Sequence, residues 1–143
     1  MFNTAVKLTA HKNIKYANEV GLASSITGNL EGKGNYKISG RVKGNIIESN
    51  QSQATLVIDE SGYVEGDITY ANVIVIGQVY GHIKVNKQLE IYPNAIVSGD
   101  IDYQQLNIHP DAKVNGRISC LDLDESVTHP VVIIPLQSTK TGT

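Results

Sequence analysis

The motif apolar-x-Gly-x-apolar occurs six times in this chain, and it limits the fold more than any other feature. The copies are Ile26-Thr27-Gly28-Asn29-Leu30, Val42-Lys43-Gly44-Asn45-Ile46, Val64-Glu65-Gly66-Asp67-Ile68, Val79-Tyr80-Gly81-His82-Ile83, Val97-Ser98-Gly99-Asp100-Ile101 and Val114-Asn115-Gly116-Arg117-Ile118. The glycines fall at 28, 44, 66, 81, 99 and 116, so the steps are 16, 22, 15, 18 and 17 residues. A unit a little under twenty residues long cannot bury its own apolar side chains, but stacked neighbours can. The pattern therefore predicts an all-β solenoid with one copy per coil. The chain holds 14 Val and 17 Ile against 9 Leu, which favours strands over helices.

The side chains divide by period two. Read as a strand, Val97, Gly99 and Ile101 share an inward face while Ser98 and Asp100 point out. Across the six motifs the outward pairs are Thr27/Asn29, Lys43/Asn45, Glu65/Asp67, Tyr80/His82, Ser98/Asp100 and Asn115/Arg117, none of them aliphatic. The inward ends are all Val, Ile or Leu. A slip of one residue would bury every polar group, so the split specifies the register. Leu56-Val57-Ile58, Leu89-Glu90-Ile91 and Leu106-Asn107-Ile108 supply further strands, and Pro93-Asn94 and Pro110-Asp111 supply turns. The coil glycines Gly28, Gly40, Gly44, Gly66, Gly77, Gly81, Gly99 and Gly116 are expected where backbone bends or packs closely, and valine there should distort the coil. With no Trp and one Phe, the interior is expected to be stacked Val, Ile and Leu.

Outside the repeat, residues 1–25 read as an N-terminal tail, 26–123 as the solenoid and 124–143 as a C-terminal tail. The polar stretch between Ile47 and Thr55 accounts for the 22-residue step as a loop thrown out of one corner. Leu121-Asp122-Leu123 starts another coil without the glycine motif to finish it. Val131 to Ile134, between Pro130 and Pro135, either lies across the last coil or stays exposed. In the N-terminal tail Lys7, Lys12 and Lys15 outweigh Glu19. The plain reading is a loose terminus. The functional reading is a membrane foot in which Met1, Phe2, Val6 and Leu8 enter the lipid interface while the lysines meet anionic headgroups. One such foot binds weakly, and many on one polymer bind well.

Several function classes find no support. A net charge of −2 argues against a general nucleic-acid binder. One cysteine fits a reducing compartment, and neither a secretory signal nor an apolar run of membrane-spanning length is visible, so a cytoplasmic protein is expected. No phosphate-binding loop, cofactor motif or zinc spacing among His11, His82, His109 and His129 occurs, so no cofactor or metal is expected. His109 and His129 each precede proline as turn residues, and Cys120 follows Ile118 at period two as an inward core thiol. Asp67, His82, Asp100 and Arg117 recur at one outward position. They read as an exposed charge ladder, with Asp67 and Asp100 beside His82, rather than as an acid–base array.

These residues resemble the bactofilins. The resemblance covers roughly residues 26 to 123, and its most specific parts are Val97-Ser98-Gly99-Asp100-Ile101 and the doublet Ile38-Ser39-Gly40-Arg41-Val42-Lys43-Gly44. It implies a right-handed, three-sided parallel β-helix of about six coils. It also implies end-to-end polymerisation without nucleotide into non-polar filaments. The protein would then be a bacterial scaffold at the cytoplasmic side of the inner membrane that places cell-wall or morphogenetic enzymes. Met1-Phe2 with its lysines looks like the membrane-targeting segment of many members. Some members carry Phe in the last coil at the filament joint, where this chain has Leu121 and Leu123. Those two, with Ile26 and Leu30 at the other end, are the expected polymer interface.

Two other classes compete. A β-helical acyltransferase with His82 as base would need a strict six-residue period and a left-handed coil, whereas the steps here vary from 15 to 22. A secreted polysaccharide-binding solenoid would call for an export signal, aromatic platforms or a calcium repeat.

Overall fold

The computed structural model describes residues 14–49, 53–121 and 131–133 of the chain. They form a parallel β-solenoid of six coils, each turning through three short strands. Coil 1 is β1 (Asn18–Val20), β2 (Ser25–Thr27) and β3 (Leu30–Gly32), and coil 2 is β4 (Tyr36–Ile38), β5 (Arg41–Lys43) and β6 (Ile46–Glu48). Coil 3 is β7 (Thr55–Ile58), β8 (Tyr63–Glu65) and the start of β9 (Ile68–Val75). Coil 4 takes the rest of β9, then β10 (Gln78–Tyr80) and the start of β11 (Ile83–Ile91). Coil 5 takes the rest of β11, then β12 (Ile96–Ser98) and β13 (Ile101–Tyr103). Coil 6 is β14 (Gln105–Ile108), β15 (Lys113–Asn115) and β16 (Ile118–Cys120), and β17 (Val131–Ile133) follows.

Stacking these coils makes three faces. The first runs β1, β4, β7, late β9, late β11, β14 and β17; the second β2, β5, β8, β10, β12 and β15; the third β3, β6, early β9, early β11, β13 and β16. All pairings are parallel. The first strand therefore lies eight residues ahead of Ile26, inside the stretch assigned above to the tail. At the other end Val131–Ile133, in register with Leu106–Ile108, opens a further coil, while Asp122 and Leu123 lie outside the described residues.

Each corner has its own chemistry. Between the first and second faces, Tyr92-Pro93-Asn94-Ala95 and His109-Pro110-Asp111-Ala112 close turns with Ala95 N–H on Tyr92 C=O and Ala112 N–H on His109 C=O. Asn94 and Asp111 both hold φ of 71° after a proline, the signature of a type II turn. Coils 2 and 4 turn the same corner at Ser39-Gly40 and Ile76-Gly77, two residues shorter, which explains part of the uneven spacing. The predicted loop falls between β6 and β7, at the corner between the third and first faces, with residues 50–52 outside the described residues. Glu48 pins its exit: one carboxylate oxygen accepts Ala54 N–H and the other Ala71 N–H.

The interior is more aromatic than the composition suggests. Tyr36, Tyr70, Tyr92 and Tyr103 are buried beside the aliphatic columns. Tyr70 reaches the space that a side chain at Gly32 would fill, and its hydroxyl donates to Gly34 C=O. Burial pushes the Tyr92 phenol up to about 12, helped by the Glu90 carboxylate. Burial raises Tyr70 further, with Glu48 and Tyr36 adding to it.

A tyrosine whose folded pKa is raised favours the neutral form in the fold. Its stabilising share is intact below the unfolded pKa of ~10 and is lost as pH climbs through the folded value. We expect the melting temperature to fall between pH 10 and 12, and to fall less in Tyr92→Phe. An equal fall in both proteins would show that Tyr92 is not the group responsible.

Candidate assembly surfaces

The six motif glycines sit at the corner between the second and third faces, not inside a strand. The strand before each ends one residue ahead of the glycine, and the next begins two residues after it. Val97 and Ile101 both point inward, but from different faces. Gly44, Gly66, Gly81, Gly99 and Gly116 all have φ between 144° and 153°, which a side chain rarely permits. A Cβ on any one of them would collide with the carbonyl oxygen of the glycine one coil earlier. The column is therefore a line of backbone-on-backbone contacts that sets the coil spacing.

The residue after each glycine builds a second column along this corner. Asn29 Oδ1 accepts Asn45 N–H at 3.1 Å, Asn45 Oδ1 accepts Asp67 N–H at 2.9 Å, and Asp67 Oδ1 accepts His82 N–H at 3.1 Å. Asp100 Oδ1 likewise accepts Arg117 N–H at 3.1 Å. The expected charge ladder is thus a ladder of side chain to backbone bonds, in which Asn serves as well as Asp. The His82 ring turns away from both Asp67 and Asp100, and its Nε2 lies 2.9 Å from Asp102 Oδ2. His109 opens its turn as expected, with Nε2 2.8 Å from Glu90 Oε2 and its ring 4.8 Å from that of Tyr92. Cys120 faces inward, partly buried against the core. Among the described residues, no group of three or more His, Cys, Asp or Glu is placed to hold a metal ion.

The inward positions of the terminal coils differ from those of the inner coils, and on the sides Ile47 of β6 is the outward aliphatic left exposed. None of the twelve outward motif residues is buried. The inward pairs of the inner coils, Val42/Ile46, Val64/Ile68, Val79/Ile83 and Val97/Ile101, are all 0% exposed. The same positions in coil 1, Ile26 and Leu30, are only partly buried. In coil 6 Val114 is partly buried and Ile118 is 38% exposed. Val114 and Ile118 are the same residue types as the sealed pairs, and among the described residues they lack a motif coil on one side. Among the described residues, no strand pairs with the outer edges of β1, β2 and β3 at one end or of β15, β16 and β17 at the other.

This arrangement puts the expected interface residues Ile26 and Leu30 at the N-terminal end and Leu121, partly buried, after β16 at the other. Leu123 lies outside the described residues. Val114 and Ile118 also belong to the C-terminal end, and the repeat itself identifies them, since the last copy of a stacked motif has no successor. Of the membrane-foot residues, Met1, Phe2, Val6, Lys7, Leu8 and Lys12 lie outside the described residues. Lys15 is exposed, and its carbonyl accepts a bond from the Asn35 side chain. No helix among the described residues is long and apolar enough to cross a membrane.

Fold and ends together define a class: a three-sided parallel β-solenoid whose terminal coils, among the described residues, leave apolar side chains partly exposed and strand edges unpaired. A family model described as bactofilin, polymer-forming cytoskeletal, matches residues 19–119, so the chain belongs to the bactofilin family. Among curated relatives, Bactofilin BacP of Myxococcus xanthus (strain DK1622) is 29% identical over 140 residues, covering 96% of this chain and 56% of that protein. Bactofilin BacO of the same organism is 31% identical over 106 residues, covering 74% of this chain and 80% of that protein. The chain thus spans little more than half the length of BacP. No solved structure matches it significantly.

Proposed function

We propose that this bactofilin is a scaffold that assembles end to end, without nucleotide, into non-polar filaments. In this reading the filaments lie at the cytoplasmic side of the inner membrane and position cell-wall or morphogenesis proteins. The observation that carries the reading is the contrast between inner and terminal coils: Ile26, Leu30, Val114 and Ile118 are incompletely buried where their repeat equivalents are sealed. An identical end from a second molecule supplies the missing coil. Pairing like ends, N to N and C to C, gives a filament without polarity. The family's polymer-forming character supports self-association.

Membrane attachment rests on Phe2, Lys7 and Lys12 ahead of Ile14, and on Lys15 just after it. Flotation with anionic vesicles separates the possibilities. The full chain is expected to float as polymer, and a chain lacking residues 1–13 is expected to lose most of that binding while still assembling. Equal flotation of both would remove the tail from the account. Loss of assembly in the shortened chain would tie the segment to polymerisation instead.

A further inference from the structure

We infer that a notch at the corner between the first and second faces, in coils 1 to 3, is a binding site for a soluble phosphate monoester, with Arg41 as its anchor. The notch follows from the uneven corners. Coil 2 turns at Ser39-Gly40, while coils 1 and 3 on either side use the longer connections 21–24 and 59–62. Gly40 lets the short turn tuck against coil 1, since a Cβ there would strike the carbonyl oxygens of Gly21 and Ser24. Between the two longer turns lies a cavity of about 310 Å³. Leu22, Ser24 and Ser25 line it from coil 1, Ser39 and Arg41 from coil 2, and Ser61 and Tyr63 from coil 3.

The repeat supplies its own comparison. Coil 4 makes the same short turn at Ile76-Gly77, and a Cβ on Gly77 would strike the Asp59 and Gly62 carbonyl oxygens in the same way. By register Arg41 of coil 2 corresponds to Gln78 of coil 4, so Ser39 corresponds to Ile76. Coil 2 thus carries a small polar residue where its counterpart is bulky and aliphatic, and a cation where its counterpart is a neutral amide. The turn itself requires neither, because coil 4 makes it without them.

Arg41 is held ready for an anion. Its guanidinium carbon lies 4.8 Å from the Tyr63 ring centroid, the Tyr63 and Tyr80 rings are 5.3 Å apart, and the Tyr80 hydroxyl donates to Gln78 Oε1 at 2.9 Å. A guanidinium over a ring keeps its in-plane N–H donors for an oxyanion. Among the described residues, no carboxylate lies within ion-pair distance of Arg41. Of the acids in the adjoining 59–62 turn, Asp59 is met by Lys37 at 3.6 Å and by the Ser39 hydroxyl at 3.4 Å, and Glu60 does not line the cavity. The Ser61 hydroxyl donates to Ser39 C=O at 2.7 Å. The Ser24 and Ser25 hydroxyls have no hydrogen-bond partner among the described residues, and Ser25 is the register partner of Arg41. A guanidinium from coil 2 and two hydroxyls from coil 1 offer donors from two sides. That suits a tetrahedral group with several terminal oxygens better than a planar carboxylate. Leu22, 72% exposed, gives the carbon body of the ester an apolar wall.

Calorimetric titration of the full-length protein with glycerol 3-phosphate tests the site in any state of assembly. We expect saturable binding of one molecule per chain, about tenfold tighter than that of acetate. Arg41→Gln, which matches coil 4, should weaken the binding by about tenfold or more. Ser39→Ile, which also matches coil 4, should fill the notch and abolish it. Tyr63→Leu should weaken binding although the charge remains, whereas Tyr63→Phe, which keeps the ring, should bind like the parent. Lys43→Gln, on the same face but outside the cavity, should change the affinity by less than about twofold. Flotation with phosphatidylglycerol vesicles separates a lipid phosphate from a soluble one, and Arg41→Gln should float as the parent does. No binding of glycerol 3-phosphate, equal binding of acetate, undiminished binding in Arg41→Gln, or flotation lost with Arg41 would each overturn the assignment.

Discussion

Gly99→Val should prevent the protein from folding as a solenoid. The residue holds φ of 144°, where a β-branched side chain is strained by about 1–3 kcal/mol on backbone grounds alone. The added Cβ would also drive into the Gly81 carbonyl oxygen, and backbone cannot swing aside as a long side chain can. Gly99 N–H donates to Asn115 C=O, so a shift that relieves the clash on one side breaks the bond on the other. A domain of this size is stable by only about 5–15 kcal/mol. Expression of the variant should give aggregated material or a chain without a cooperative melt in far-ultraviolet circular dichroism. Ser98→Val, one residue earlier and pointing outward from β12, should melt within a few degrees of the parent. A Gly99→Val protein that melts like the parent would refute the corner-column account.

A charge at a terminal coil should stop growth at a defined size. Leu121→Arg places a guanidinium at the C-terminal end, and Leu30→Arg places one at the N-terminal end. Buried in a joint without a partner, such a charge costs several kcal/mol. In the free monomer both positions are only partly buried, so the long arginine side chain can reach water and the fold is expected to survive. With like ends paired, each single variant is left with one working end and should sediment as a dimer. The double variant should sediment as a monomer. Head-to-tail growth gives a different outcome, since either single variant would then be monomeric. Leu121→Arg filaments of normal length would move the joint to Val114, Ile118 or β17.

The fold was largely legible because a repeated motif states the same inward–outward split six times. The sheet-facing residues, the 49–54 loop and the polar outside all follow from it. What the sequence hid depends on bends and on distance. A period-two reading keeps Gly99 inside a strand, because nothing local separates an inward glycine from a glycine at positive φ. The neighbouring column uses its carboxylates on backbone N–H groups, so Asp67 holds the His82 N–H while the His82 ring meets Asp102. The place of Tyr70 depends on Gly32, 38 positions earlier, which leaves the space its ring fills. The strands at Asn18–Val20 and Val131–Ile133 lack the glycine motif, so only their pairing with β4 and β14 identifies them.

The central claim is assembly through open terminal coils. Electron microscopy of the purified full-length protein, with no nucleotide present, tests it most directly. Six coils at ~4.8 Å make each molecule about 29 Å long, and a pair joined by like ends repeats near ~60 Å. The account therefore expects long unbranched filaments with an axial repeat of about 60 Å and no distinction between their two ends. A protein that remains monomeric at high concentration, or that forms filaments with a repeat of about 30 Å and one consistent direction, would contradict it.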